Sequence, residues 1–461
     1  MVRSGNVRDL QTRLCRLPPN RYIEFQLLIT VRLASLLSML LLLVAQTAFG
    51  QPKTDRFLED LLLNSRHEVI HKVIGHRDSF RVQIIYTRIE RDKNNKPSFE
   101  QFHFNVDPDL YFNPASTVKL HVALLSLEKL NEMKIKGVNK YTAMQFDSTF
   151  SGQVPACTDA TAKRGLPSIA QYIRKAFLVS DNDAYNRMYQ FVGQQTINRS
   201  LQQKGYKHTR INRQFMGFSE EQNRHTNQIR FVDDTGKVIY TQPPAYNPDT
   251  FDYSRTIKVG RAHLNSRDSL INEPIDFTKT NNVGLEDLQQ LLQSVMFPAS
   301  FPAERRFNLS KDDYDFLYRY LSQYPSETNY PKYDTSQYYD SYVKFYFRNG
   351  NRQMPKGVRV FNKVGWAYGF LIDVSYVADF ENKVEFMLTS TVYVNSDGVL
   401  NDNKYEYESV GWPFLYELGQ TIYEYEKKRP RQYVPDLRAF KIEYERRDPN
   451  DTREPIRDVD N

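Results

Sequence analysis

A serine and a lysine three positions apart are the residues of this sequence best suited to covalent chemistry. Ser116 and Lys119 lie at the start of a strongly apolar stretch, 117–130, which predicts a buried central helix because apolar residues occupy nearly every face. Three positions along a helix place both side chains on the same face. A lysine in a partly desolvated site can lose its charge and accept the hydroxyl proton of a neighbouring serine. The amide groups and the positive dipole at a helix start also favour negative charge that develops nearby.

The S-x-x-K spacing alone does not single out this pair. Two other pairs share it, namely Ser126 with Lys129 and Ser341 with Lys344. Ser126 lies in the middle of the predicted helix, where its hydroxyl would have no opening to a substrate. Ser341 lies in a tyrosine-rich stretch that we interpret as an insertion. Ser116 instead follows Pro114 at the start of the helix, directly after a predicted strand hairpin, and is therefore the favoured nucleophile.

Two further short motifs follow along the chain. The tripeptide Ser180-Asp181-Asn182 interrupts an otherwise apolar helical pattern, as a loop would that carries polar side chains into a cleft. A tripeptide of this composition is more often simply a helix cap or a turn. The second motif, Lys363-Val364-Gly365, ends a β-rich run and by itself indicates only the end of a strand. Each motif alone is weak evidence, whereas the three in this order are far more specific.

In this order the motifs resemble the S-x-x-K, S-D-N and K-T-G set of class A β-lactamases and penicillin-binding proteins. The resemblance covers about residues 57–426. It implies that Ser116 attacks an amide or β-lactam carbonyl to form an acyl-enzyme, with Lys119 as the base or its partner. It also implies that Ser180 passes a proton to the leaving nitrogen, and that Asn182 holds both the substrate amide and Lys119.

The resemblance extends to the strand that carries the third motif. Lys363 would attract the substrate carboxylate and give the cleft a positive potential. Gly365 and Trp366 would bind substrate through the backbone, because the N–H groups of Ser116 and Trp366 would form the oxyanion hole.

Two departures from the family pattern bear on the reaction. Val364 stands where the family has Thr or Ser, so a hydroxyl that helps to bind the substrate carboxylate is missing. The acidic E-x-x-L-N loop that activates the deacylating water in class A enzymes is also missing, and the equivalent stretch is 210–215. Glu220 and Glu221 follow nearby, but acids on a polar loop are usually only solvated. The second departure predicts slow deacylation.

Three functions are therefore open. The first is a β-lactamase of class A type, which cleaves a β-lactam or related amide through an acyl-enzyme. The second is a peptidase or esterase acting on D-Ala, similar to a penicillin-binding protein and slow to deacylate. The third is a non-catalytic module that binds cell-wall fragments, and the nucleophile–base pair argues against it. The expected partner is a small-molecule β-lactam or a peptidoglycan-derived peptide.

The order of the predicted elements indicates the fold class. The predicted elements are a helix (55–74), two strands (80–89 and 99–106), a mainly helical block, three strands (358–364, 370–379 and 383–394) and a last helix (409–426). Strands distant in sequence must then join one sheet, with the helices packed beside it. We predict an α+β fold of β-lactamase/transpeptidase type, in which a five-stranded antiparallel sheet flanked by helices adjoins an all-helical subdomain. The active site would lie between them.

The predicted hydrolase domain spans 51–426. Its α/β part takes about 55–115 and 355–426, and its helical part takes about 116–300. A polar stretch with its own hairpin, 219–280, and the tyrosine-rich stretch, 310–347, are predicted insertions. The remaining segment, 427–461, is rich in charge, which predicts a disordered tail.

The N-terminal segment predicts export. An apolar run of 13 residues, 33–45, follows Arg32 and precedes Ala48-Phe49-Gly50, the pattern of a signal peptide over residues 1–50. The run is short for a membrane span. We therefore expect a periplasmic or secreted protein, anchored in the membrane only if the segment is not cleaved.

Composition argues against several other classes of protein. The net charge of +7 is modest, and no stripe of Lys and Arg interleaved with aromatic residues indicates nucleic-acid binding. Cys15 would be removed with the signal segment, which leaves Cys157 without an internal disulfide partner. His67 and His71 share a helix face, but surface placement explains them better than a metal site. We predict neither a cofactor nor a metal.

Overall fold

The structure is a computed structural model that describes residues 52–150 and 152–459. The predicted signal peptide lies outside the described residues. Among the residues described, no helix is both long and apolar enough to cross a membrane.

The central element is an antiparallel sheet built from two distant parts of the chain. Its five strands are β1 (Gln83–Arg91), β2 (Pro97–Phe104), β3 (Val358–Ala367), β4 (Phe370–Asp379) and β5 (Val384–Tyr393), in the order β3-β4-β5-β1-β2. The first strand, β1, pairs with β5, for example Ile85 opposite Thr389, and this pairing joins the N-terminal hairpin to the C-terminal strands. The predicted five-stranded antiparallel sheet is confirmed.

Both faces of the sheet are covered, which explains why its central strands are buried on both sides. Every residue of β4 and β5 is buried. Successive residues alternate between two separate hydrophobic cores: Ile85 belongs to one and Ile84 to the other. The alternation therefore decides which residues of β3 face the helical part of the molecule and which face away from it.

Helices cover the two faces. They are α1 (Arg56–Leu63), α2 (Glu68–Gly75), α3 (Val118–Met133), α4 (Ile169–Leu178), α5 (Asn182–Val192), α6 (Gln194–Gln203), α7 (Glu220–Arg224), α8 (Leu285–Met296), α9 (Lys311–Ser322) and α10 (Trp412–Lys428). Apolar residues of α1, α2 and α10 share one core, and those of α3 and α8 share the other. The central helix, α3, is buried on nearly all sides, as the sequence predicted.

The first helical stretch differs from the sequence prediction of one helix over 55–74. It is divided into α1 and α2 by a break at 64–67. The Asn64 backbone N–H and side-chain amide both donate to the Asp60 carbonyl and so close the first helix. Asn and Ser compete for backbone hydrogen bonds in this way, which explains why the helix ends at Asn64-Ser65.

The two insertions have ordered structure. The hairpin predicted within 219–280 is present, and it forms a small sheet with a third strand; the strands are Ala143–Phe146, Ile229–Val232 and Val238–Gln242. Short strand pairs also occur at Ala262–Leu264 with Leu270–Ile271, and at Lys258–Val259 with Ile275–Asp276. The helical part of the molecule therefore carries small β-sheets in addition to its helices. The second insertion begins with helix α9.

The C-terminal segment contradicts the prediction of a disordered tail over 427–461. The last helix continues to Lys428, and beyond it Leu437 and Phe440 are 1% and 5% exposed. The Ile456 N–H donates to the Lys332 carbonyl at 2.8 Å, which fastens the segment to the tyrosine-rich insertion. Average charge indicated disorder, but a few well-placed apolar residues are enough to anchor this segment to the core.

Candidate active site

Ser116 lies on a tight turn that exposes its side chain at the start of α3. The turn is a 3₁₀ helix, Ala115–Thr117, and Ala115 adopts a left-handed backbone with φ of 43°. The Ala115 N–H donates to the Asn113 side-chain oxygen at 2.9 Å, and the Thr117 N–H donates to the Pro114 carbonyl at 3.0 Å. A non-glycine residue in this conformation is strained, and the two hydrogen bonds maintain it. Ser116 remains partly exposed while Thr117 is buried.

Lys119 lies one helical turn further on, fully buried beneath Ser116. Its Nζ is 2.8 Å from the Ser116 Oγ and 2.7 Å from the Asn182 Oδ1. It also donates to the Ser180 carbonyl and lies 3.2 Å from the Ser180 Oγ. The amine is thus fixed by Ser116 on the turn before α3, by Ser180 in the loop before α5 and by Asn182 at the start of α5.

The Ser180-Asp181-Asn182 segment both caps a helix and faces the candidate site. Asp181 is the N-cap of α5, and its Oδ1 accepts from the Ala184 N–H at 2.7 Å. Ser180 has a left-handed backbone with φ of 67°, which ends the α4 pattern and turns its hydroxyl towards Lys119. The two interpretations of this tripeptide, a cap and a loop of site residues, are therefore compatible.

Strand β3 completes the polar cluster. The Lys363 Nζ donates to the Ser180 Oγ at 3.0 Å and to the Val364 carbonyl at 2.8 Å. The Ser180 hydroxyl is therefore a bridge between two buried lysines. Although they come from three separated motifs, the five side chains predicted from the sequence lie in one cluster: Ser116, Lys119, Ser180, Asn182 and Lys363.

Gly365 permits β3 to approach the turn of Ser116. A Cβ atom at this position would lie 2.8 Å from the Pro114 carbonyl oxygen and 2.9 Å from the Ser116 backbone nitrogen. Such distances leave no room for any side chain. The next residue, Trp366, lines the cleft beside Ser116.

Burial and like charge act together on the two lysines. Complete burial, with a further contribution from neighbouring Lys363, holds the pKa of Lys119 well below its usual range, although the Asp181 carboxylate opposes this. Burial lowers the pKa of Lys363 to about 7. Burial therefore favours the neutral form of the Lys119 amine, which is the form able to accept a proton.

The cluster opens into a cleft of about 750 Å³. The described residues that line it are Asn113, Ala115, Ser116, Ser180, Asn182, Arg213, Gln214, Phe215, Met216, Gly217, Phe277, Thr280, Asn281, Trp366, Ala367, Tyr368, Asn401, Asn403 and Tyr405. Arg213 is the one charged residue among them, and they include no carboxylate. The two buried lysines lie beneath this surface.

The departures from the family pattern have structural counterparts. Val364 is fully buried in the core on the opposite side of β3, so it offers the cleft no polar group. Glu220 pairs with Lys279 at 3.1 Å and Glu221 with His225 at 3.1 Å, and neither acid lines the cleft. Both acids are therefore engaged elsewhere.

Several lining residues were not predicted from the sequence. The Phe215 ring centroid lies 5.1 Å from the Lys119 Nζ, and Asn281 accepts from the Arg213 backbone N–H at 2.9 Å. These residues belong to loops that carry no sequence motif and no regular spacing of apolar residues. Only the position of Phe215, within the stretch that should have carried an acid, was a usable signal.

The two other S-x-x-K pairs lie away from the cleft. The buried Ser126 hydroxyl donates to the Val122 carbonyl of its own helix at 2.7 Å. The buried Lys344 Nζ donates to the Leu321 and Val360 carbonyls and to the Asn362 side chain. Position along the chain, and not spacing, separates these pairs from Ser116 and Lys119.

Part of the chain matches the model of a known protein family. Residues 67–236 match the model of the β-lactamase enzyme family, a range that includes Ser116, Lys119, Ser180 and Asn182 but ends before Lys363. This match supports a hydrolase of β-lactamase type. No curated protein matches the sequence.

Several solved structures are similar at low identity. A β-lactamase from Sphaerobacter thermophilus is 12% identical with a TM-score of 0.43, covering 79% of this chain and 98% of that one. PBP-A is 13% identical with a TM-score of 0.43, covering 82% of this chain and 100% of that one. A β-lactamase from Burkholderia ambifaria is 11% identical with a TM-score of 0.42, covering 79% and 100%. Residues 67–236 are similar to the β-lactamase enzyme family, and the five-stranded antiparallel sheet with helices on both faces agrees with the fold that this resemblance implies.

Proposed function

We propose that this protein is an exported serine hydrolase that opens a β-lactam or related amide through an acyl-enzyme on Ser116. The observation that carries the proposal is the contact of 2.8 Å between the Ser116 Oγ and the fully buried Lys119 Nζ. A neutral amine at hydrogen-bonding distance from a partly exposed hydroxyl is the arrangement that activates a serine nucleophile.

Acylation follows from this arrangement. The neutral Lys119 amine takes the hydroxyl proton while the Ser116 Oγ bonds to the substrate carbonyl carbon. The negative charge that develops on the carbonyl oxygen is stabilised by the backbone N–H groups of Ser116 and Trp366. One donor of this type is typically worth about 3–4 kcal/mol in the transition state.

Collapse of the tetrahedral intermediate breaks the carbon–nitrogen bond. The leaving nitrogen takes a proton from the Ser180 hydroxyl, which recovers one from Lys119, protonated in the previous step, across the 3.2 Å contact. The Lys363 ammonium, 3.0 Å from the same hydroxyl, attracts the carboxylate of the leaving part. Asn182 orients both Lys119 and the substrate amide.

Deacylation is the step for which the cleft has the fewest groups that could assist catalysis. Among the described lining residues there is no carboxylate to activate a water molecule, and the Phe215 ring lies next to Lys119. We therefore propose that the acyl-enzyme is long-lived, as in a penicillin-binding protein that acts on D-Ala amides or esters. Rapid turnover, as in a class A β-lactamase, is the alternative function. The non-catalytic binding module is disfavoured because it has no use for a neutral buried lysine beside a serine.

The experiment that tests this function is intact-mass analysis of the mature protein after incubation with benzylpenicillin. We expect one penicillin-sized adduct on the wild type and none on Ser116→Ala. Ser126→Ala is the matched control, because it removes a hydroxyl of the same spacing motif that only bonds within its helix. Labelling that survives in Ser116→Ala would assign the nucleophile to another residue.

Export is proposed on the sequence of residues 1–50 alone. The mass of the protein recovered from its native host tests it: we expect a mature chain that begins near Gln51, in the periplasm or the medium. A full-length chain in the cytoplasm would contradict the proposal.

A further inference from the structure

Arg213 is the residue of the cleft whose charge the proposed mechanism does not use. It is the one charged side chain among the described residues lining the cleft. Lys119 and Lys363 are buried beneath the surface and bonded to Ser180. A guanidinium at the cleft surface is therefore the cation that an entering ligand meets directly.

The backbone of Arg213 is held firmly. Asn281 accepts from its N–H at 2.9 Å and donates to its carbonyl at 3.2 Å. The buried Tyr185 hydroxyl donates to the same carbonyl at 2.7 Å. The origin of the side chain is thus fixed relative to the cleft, which reduces the entropic cost of binding a ligand there.

The guanidinium, by contrast, is largely unengaged. Its one hydrogen bond among the described residues is from Nη2 to the Phe218 carbonyl at 3.3 Å, and no described carboxylate pairs with it. Arg210, three residues earlier, differs because its guanidinium is bonded to the Asp252 and Thr278 carbonyls. Arg213 therefore keeps donors for a planar, two-oxygen acceptor.

The cleft thus has two cationic positions. The one at Lys363 and Ser180 is assigned, in the proposed function, to the carboxylate of the leaving part. Among the described residues, no hydrogen bond joins Arg213 to Lys363 or Ser180; Arg213 belongs to the segment that carries Phe215 and is bonded to Asn281. A ligand that neutralises both positions carries two separate anionic groups.

We infer that the preferred substrate is a dianion whose acyl part carries a carboxylate, and that Arg213 binds this carboxylate. The inference rests on the proposed function and specifies its substrate class. Since a bidentate arginine–carboxylate pair is among the stronger hydrogen-bonded pairs, its loss should cost about tenfold to a hundredfold in the rate of acylation.

Two penicillins that differ only in this group provide the test. Benzylpenicillin and α-carboxybenzylpenicillin share the leaving part, and the second adds a carboxylate to the acyl side chain. The second-order rate of Ser116 acylation by each is measured by intact mass. We expect wild-type protein to react at least about tenfold faster with the carboxylated compound.

Variants of Arg213 distinguish a loss of carboxylate recognition from a general loss of acylation activity. In Arg213→Gln the ratio of the two rates should fall towards one, and Arg213→Lys should restore part of it because the charge is kept. Arg267→Gln is the matched control: it removes an equal charge from an exposed loop where Arg267 has no described ion pair, and it should keep the wild-type ratio.

The possible failures are distinguishable. If both penicillins acylate the wild type at equal rates, or if Arg213→Gln keeps the wild-type ratio, the inference is wrong and the proposed function stands. If neither compound labels the wild type, the proposed function is overturned, and the inference with it.

Discussion

The protonation state of Lys119 determines whether Ser116 can be activated. The neutral amine can accept the proton of the Ser116 hydroxyl, whereas the charged amine can only donate hydrogen bonds. The burial of Lys119 is complete, and its four acceptor contacts come from Ser116, Ser180 and Asn182. A charged amine would satisfy these acceptors but would have no lone pair for the Ser116 proton. Burial and the nearby Lys363 favour the neutral form, which leaves the hydroxyl of Ser116 opposite an amine that can accept its proton.

The pH dependence of acylation follows from this shift. Since the pKa of Lys119 is lowered, the neutral base is present above that lowered value and is lost as the pH falls through it. We expect the second-order acylation rate to decline on acidification, with the midpoint of the decline below the pH range in which an ordinary lysine titrates. Stopped-flow or mass measurements between about pH 5 and pH 10 test this, with circular dichroism as a control for unfolding. A rate that rises steadily up to about pH 10, the range of an ordinary lysine, would contradict it.

On the scale of secondary-structure elements, the site depends on how closely β3 approaches the turn before α3. Gly365 makes this approach possible, since a Cβ there would fall 2.9 Å from the Ser116 backbone nitrogen. The same nitrogen is one of the two proposed oxyanion donors. A displacement of the strand would therefore move the Trp366 donor relative to the nucleophile and to the Ser116 donor.

Gly365→Ala tests this arrangement. We expect a loss of about 10²–10³ in the acylation rate, the size of effect seen when an oxyanion donor is lost, with the fold retained. Gly350→Ala is the control, because a Cβ there meets nothing within 4 Å. Acylation of Gly365→Ala at the wild-type rate would show that the strand does not need this close contact.

Much at this scale could be predicted from the sequence. Ser116 and Lys119 are close in sequence, so their spacing was sufficient to predict that they lie together. The alternation of apolar residues along the strands was likewise sufficient to predict the sheet. The sequence did not predict three residues that line the cleft, namely Phe215, Asn281 and Arg213. They lie on loops, where apolar residues have no regular spacing from which a position could be predicted. The break between α1 and α2 was missed because the apolar spacing continues across it, whereas Asn64 ends the helix through its own hydrogen bonds.

At the scale of the whole molecule, the insertions and the C-terminal segment pack onto the fold. The Phe440 ring lies 4.9 Å from the Tyr376 ring and 5.8 Å from the Phe361 ring, on the core side of β3 and β4. Composition averaged over 427–461 concealed these contacts, because few residues make them and charged residues surround them. The segment after α10 thus contributes to the same core as the central sheet.

Phe440→Ala tests whether this segment stabilises the protein. Removing a buried phenylalanine typically costs about 3–5 kcal/mol, so we expect a clear decrease in the free energy of unfolding and in Tm. Tyr433→Ala, at a side chain that is 38% exposed, should change stability by about 0.5 kcal/mol or less. Equal stability of the two variants in thermal and urea denaturation would favour the disordered tail that the sequence predicted.

A time course of intact mass shows whether Ser116 forms a long-lived acyl-enzyme. Wild-type protein is mixed with excess benzylpenicillin, the free drug is removed, and the mass is followed over hours. We expect one adduct per chain that persists for minutes to hours, because the described residues lining the cleft include no carboxylate to activate water. Drug consumption without a lasting adduct would contradict slow deacylation, and the absence of both adduct and drug consumption would contradict acylation of Ser116 by a β-lactam.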